Sequence, residues 1–195
     1  MTNTAEAERR DRLAEIVRTT PALIRVLETM RGLDLPDWLI FSGAVYQPVL
    51  NRLTGRPAEH GLNDYDIGYF AAADLSYEAE DRVIRRVAAA FPEPLSRPVQ
   101  VRNQARVHLW FEARFGEAYA ALSSTAEALE RFVSPTFAVG VRLEADGQLH
   151  IEAPFGLDDL FALRLRPNPH RPTGGFARTA AGVAARWPEL TVLYP

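Results

Sequence analysis

Cysteine is absent from the 195 residues, which removes thiol nucleophiles, disulfides and thiolate zinc sites together. Lysine is absent as well, because all 22 residues counted as lysine or arginine are arginine. Arginine stays protonated, so Schiff-base and amine general-base chemistry is excluded. No apolar run approaches the ~20 residues needed to span a bilayer. The opening stretch M-T-N-T-A-E-A-E-R-R-D-R is polar and lacks a signal-peptide core. A cytoplasmic protein without membrane association is expected. The formal charge of −3 gives no strong signal for nucleic-acid binding, although local arginine clusters are compatible with it. There is no repeat, low-complexity tract or clear linker. The 47% hydrophobic and 24% charged content fits a globular domain with a real core, so residues 1–195 are expected to form one domain.

The order of elements follows from periodicity and turn residues. Residues from about Ala5 to Thr19 read as a helix with Leu13, Ile16 and Val17 on one face. Thr20-Pro21 opens a second helix, which Gly32 and Pro36 close. These N-terminal helices, residues 5–32, are expected to pack on the core. Trp38–Phe41 reads as a buried strand, followed by a Ser42-Gly43 turn and a helix ended by Gly55. A cap near Ala44 would place Pro48 in the first helical turn, where its missing N–H breaks no bond. The loop 56–63 carries His60, read as a solvated histidine. Ser76–Ala90 reads as an amphipathic helix with Val83, Ile84, Val87 and Ala88 inward.

Farther along, Ser124-Thr125-Ala126-Glu127 reads as a capping box that opens a helix holding Leu129 and Phe132. Residues 139–153 read as a hairpin. A three-residue loop, Ala145-Asp146-Gly147, pairs Leu143 with Leu149 and Val141 with Ile151, keeping apolar residues on one face. Asp158 and Asp159 open a helix from Leu157 to about Leu165, where acidic residues meet the helix dipole favourably. A Pro/Gly-rich loop through Gly175 is a candidate flap. A helix from Phe176 to Trp187 and a strand at Thr191–Tyr194 complete the chain. Strands alternating with helices predict an α/β (α+β) domain around a mixed β-sheet.

The chemistry concentrates between Ser42 and Phe70. Asp64 and Asp66 stand two residues apart on an expected strand, so both point to one face, with Tyr65, Ile67 and Tyr69 on the other. Two adjacent carboxylates repel, and a hard divalent cation such as Mg²⁺ (or Mn²⁺) is the usual compensation. Gly43 allows close backbone approach, and the free N–H groups of the following helix favour phosphate. Residues Val99 to Phe111 alternate with period two. On an unbroken strand this would set Arg102, Gln104, Arg106 and His108 on one donor-rich face, suited to phosphates.

Taken together, the Ser42-Gly43 turn, G-A-V-Y-Q, N-D-Y-D-I-G-Y-F, V-R-N-Q-A-R-V-H-L-W-F, A-V-G-V-R-L and A-P-F-G-L-D-D-L-F resemble the nucleotidyltransferase superfamily that includes DNA polymerase beta. More closely, they are similar to a bacterial branch of it. The resemblance covers roughly Trp38 to Leu193. It implies helices packed mainly on one face of the sheet and an active site on the other. It also implies metal ions on Asp64 and Asp66 as catalytic ligands, a nucleoside triphosphate against Ser42 and Gly43, and an acceptor whose identity it leaves open. Gln47, within G-A-V-Y-Q, joins Arg102, Gln104, Arg106 and His108 as a nucleotide-binding candidate. One departure stands out: such enzymes usually carry a third carboxylate, and Gln100 stands in its place. Glutamine is neutral and cannot act as a base. Two expectations follow, a Mg²⁺-dependent nucleotidyl transfer or a catalytically impaired nucleotide-binding or regulatory module.

Overall fold

Helical spacing of apolar residues builds the layer on which the sheet rests. The structure, a computed structural model, describes residues 2–93, 99–171 and 175–194. Helix α1 (Thr2–Arg18) buries Leu13, Ile16 and Val17. Helix α2 (Pro21–Leu33) starts with proline in its first turn, buries Ala22, Leu23, Val26, Leu27 and Met30, and stops at Asp34 in the left-handed region (φ 48). Strand β1 (Leu39–Phe41), helix α3 (Gly43–Leu53) and strand β2 (Tyr65–Tyr69) follow, then helix α4 (Tyr77–Ala90) and strand β3 (Val99–Asn103). Beyond them lie α5 (Phe111–Phe115), α6 (Thr125–Leu129), β4 (Gly140–Leu143), β5 (Leu149–Glu152), α7 (Asp158–Phe161), β6 (Arg164–Leu165), α8 (Gly175–Arg186) and β7 (Thr191–Val192).

The main sheet has the order β3-β2-β1-β4-β5 and is mixed: β2 and β3 run parallel, whereas the other neighbours are antiparallel. Ile40, Tyr65, Ile67, Tyr69, Val101, Val141 and Leu143 share one continuous core with α1, α2, α3 and α8. Opposite them, Leu39 and Phe41 pack with Leu129 and Ala138 in a second, smaller core. The helices therefore lie mainly on one face, as an α/β (α+β) domain of this kind requires. The hairpin has the expected register, with Leu143 opposite Leu149, Val141 opposite Ile151, and Gly147 at φ 83.

Several elements depart from the pattern read in the sequence. The cap of α3 is Ser42 rather than Ala44, so Pro48 falls past the first turn and the helix forgoes one bond to the Ala44 carbonyl. The face of α4 buries Val87 and Glu80, while Ala88 is exposed. The long strand expected from Val99 to Phe111 ends at Asn103, and Gln104–Leu109 coils into a 3₁₀ helix. Asn103 causes the switch: its side-chain oxygen accepts from the Ala105 and Ala71 N–H groups, and its amide donates to the Ala71 carbonyl. Such local capping competes with strand pairing.

The helix expected over 157–165 likewise ends at Phe161. Leu163 takes a positive φ of 52, and β6 then pairs parallel with β7. Asp159 accepts from both Arg164 and Arg166, and Asp158 binds Arg9 and Arg164, so these acids serve the fold. Part of the Pro/Gly-rich loop, residues 172–174, lies outside the described residues. Before it, Asn168 is buried and clamps the Glu130 and Phe132 carbonyls.

Candidate functional site

The less covered face of the sheet carries the two carboxylates because strand alternation sorts them there. On β2, Tyr65, Ile67 and Tyr69 enter the main core, leaving Asp64, Asp66 and Gly68 on the opposite face. Asp66 pairs with Phe41 of β1 on one side and with Gln100 of β3 on the other. Arg102 stands beside Gly68. The Ser42-Gly43 turn follows Phe41 directly and so sits at the carboxylate end of the sheet. Ser42 adopts φ 62, uncommon for a residue with a side chain. It caps α3 without a side-chain hydrogen bond to the helix, which leaves the first N–H groups free to meet an anion. A Cβ on Gly43 would lie 2.8 Å from Gln47 Nε2, so the absence of a side chain there lets Gln47 fold back beneath the turn. Gln47 Oε1 is buried and lacks a hydrogen-bond partner among the described residues.

The electrostatics agree with this placement. Burial first, and then the charge of Asp64, push the Asp66 carboxyl up to about 6, while Arg102 opposes the rise. Burial also pushes up the Tyr46 hydroxyl on α3, which feels the charges of Arg186, Asp64 and Asp66. Tyr46 of α3 and Arg102 thus each feel the charge of Asp66.

Arg106 and His108 separate from this group, whereas buried Gln104 stays with Arg102 and Phe41 at the head of an aromatic groove, its amide donating to the Arg102 carbonyl at 3.3 Å. Arg106 is buried in an ion pair with Glu80 and donates to the Leu75 carbonyl at 2.7 Å. Glu80 also accepts from the Asn103 N–H at 2.8 Å, so one buried carboxylate ties α4, β3 and the 3₁₀ turn together. His108 lies in that turn, with a buried Nδ1 lacking a partner among the described residues. The alternation that aligned Arg106 and His108 with Arg102 is lost where the strand stops.

A family model described as nucleotidyltransferase matches residues 28–192, most of the chain. The chain belongs to this nucleotidyltransferase family. A solved structure described as a CCA-adding enzyme head domain is similar to it with a TM-score of 0.74 and 22% identity, covering 94% of this chain and 95% of that one. At that identity the likeness shows the fold. No protein of curated function matches.

Nucleotidyltransferases generally use divalent metals. In this nucleotidyltransferase the fit is partial, since among the described residues no three His, Cys, Asp or Glu side chains gather in one place. Asp64 and Asp66 offer two hard carboxylates, and Gln100 offers a neutral carbonyl oxygen beside them. That donor set suits a single Mg²⁺ that retains several waters.

A feature not read from the sequence reaches Phe41, the register partner of Asp66. Two neighbouring cavities of about 220 and 380 Å³ share Phe111, Tyr119, Arg131 and Arg171, and the smaller one begins at Phe41 and Arg102. Phe111 stacks obliquely on Tyr119 with ring centres 4.5 Å apart, and Arg171 lies 5.7 Å from the Phe111 ring centre. Burial pushes the Tyr119 hydroxyl up to about 12, so it stays protonated. The run W-F-E-A-R-F-G-E-A-Y was the available signal, since so many aromatics in one short stretch must find a wall to build.

Proposed function

We propose that the protein is a Mg²⁺-dependent nucleotidyltransferase that moves a nucleoside monophosphate from a nucleoside triphosphate to an acceptor. What supports this reading is that Asp64, Asp66 and the uncapped α3 terminus lie at one end of one sheet face, with Arg102 farther along that face beside Gly68. Asp64 and Asp66 would hold the metal, with Gln100 contributing its carbonyl oxygen. The bound ion would supply charge neutralisation for the phosphates and the leaving pyrophosphate. The α3 N–H groups at Gly43 and Ala44 orient the phosphates, and Arg102 adds a cation beside them. Gln47 fixes the shape of the turn from below. Arg106 holds the fold through Glu80 and is not assigned to the nucleotide.

A second reading is favoured by one observation. Gln100, where a third carboxylate would stand, is the register partner of Asp66. A nucleotide-binding module with little turnover would have this composition. Incubation with α-labelled ATP, GTP, CTP or UTP and Mg²⁺ separates the two readings. Label transfer or pyrophosphate release with at least one triphosphate supports the enzyme. Binding without turnover that Gln100→Glu converts to turnover supports the module, and no binding of any triphosphate contradicts both.

A further inference from the structure

A hydroxyl acceptor must shed a proton as it attacks phosphorus, and the side chain paired with Asp66 on the neighbouring strand stands where a base would take it. Here the residue in that place, Gln100, is neutral and takes none. An acceptor whose attacking oxygen is already ionised has no such need. The groove beside the carboxylates has the composition to select one. It is cationic in a chain of net charge −3: Arg102, Arg131 and Arg171 line it against Glu117. Arg171 is committed to Glu117 at 2.6 Å and to the Arg131 carbonyl. Arg131 reaches Glu127 only at 3.4 Å, and its Nε is buried without a partner among the described residues. The Arg131 side chain is 39% exposed, lines both cavities and has no tighter carboxylate partner among the described residues, so its terminal nitrogens are available to an anion in the groove. The walls are flat rings, Phe111 and Tyr119, which favour a planar group.

We infer, resting on the nucleotidyl-transfer reading, that this groove holds the acceptor, and that the acceptor is a small molecule joining a planar ring to an ionised carboxylate or phosphate. In the transfer, an anionic oxygen of the acceptor forms a bond to the α-phosphorus. The bond from that phosphorus to its bridging oxygen breaks, and pyrophosphate leaves with the electron pair. No proton moves in the attack, and the product is an acyl phosphate anhydride or a phosphoanhydride according to the acceptor.

Two matched pairs test this on the full chain. Nucleoside 5′-monophosphates are compared with nucleosides, and aromatic carboxylates with the corresponding alcohols. Tryptophan fluorescence and thermal shift are read first without triphosphate, then with a saturating non-hydrolysable triphosphate and Mg²⁺. At least one anionic class should bind about tenfold or more tightly than its neutral counterpart, and the class that does so identifies the acceptor. Binding should survive saturation with triphosphate. Arg131→Ala and Phe111→Ala should each weaken it about tenfold and leave triphosphate affinity unchanged. Arg131→Gln serves if truncation unfolds the protein. Label from an α-labelled triphosphate should pass to the anionic compound and not to the alcohol. Equal affinity for both members of each pair, no binding by either anion, displacement by the triphosphate, or label on a hydroxyl overturns the inference. Loss of triphosphate binding altogether is instead a failure of the underlying reading, and the measurement without triphosphate keeps the two distinct.

Discussion

In the proposed site Asp66 bears both the electrostatic cost and the metal-binding role. Its folded-state pKa of about 6 lies above the ordinary 3.8. In the metal-free protein, stability from the neutral carboxyl is therefore complete below pH 3.8 and lost as pH rises through 6, a loss on the order of 3 kcal/mol. Mg²⁺ competes with that proton. The Mg²⁺-induced rise in Tm should be large at pH 8 and fade below pH 6, and equal rises at pH 5 and pH 8 would contradict a role for Asp66. Asp66→Asn should raise metal-free stability at pH 8 while removing the metal response. Gln100 makes the complementary case. Gln100→Glu should tighten Mg²⁺ binding and admit hydroxyl acceptors that the wild type rejects, as measured by label transfer to an alcohol. An unaltered acceptor range would mean the glutamine does not decide it.

At the scale of elements, the segment after β2 separates what the sequence shows from what it hides. Period-two alternation from Val99 onward correctly marks a strand, yet periodicity cannot tell where pairing ends. Asn103 ends it by accepting from the nearby Ala105 N–H and by binding the backbone of Ala71, a contact between residues far apart in sequence. Arg106 consequently turns into the ion pair with Glu80, whose side chains are only 11% and 5% exposed. Removing one member of a buried pair strands the other charge, so Arg106→Ala should cost about 3–5 kcal/mol. Chemical denaturation checks the cost, and triphosphate affinity should stay unchanged. Arg102→Ala should do the reverse, leaving stability nearly intact and weakening triphosphate more than nucleoside. The hairpin was legible because burial alone selects its register. The aromatic groove was not, because the run holding Phe111 and Tyr119 meets Arg131 and Arg171 only when packing brings separate segments together.

Across the whole molecule, the arrangement depends on one small residue in the middle of the site face. A Cβ on Gly68 would lie 2.6 Å from Phe41 and 2.8 Å from Thr125, so α6 and the second core settle over β2 only because the position is bare. Gly68→Ala should lower stability by about 1–3 kcal/mol through overpacking, read as a fall in Tm. The sequence revealed the two carboxylates, the glycine turn and the sheet they share; the division of that face into a metal end and an arginine-lined end required the fold. The central claim is that the Asp64–Asp66 pair and the α3 terminus form one nucleotide and metal site. Triphosphate affinity in the presence and absence of Mg²⁺, compared between the wild type and Asp66→Asn, tests it most directly. Mg²⁺ should tighten binding about tenfold or more in the wild type and have no effect in the variant. Affinities that respond equally to Mg²⁺ in both proteins would contradict it.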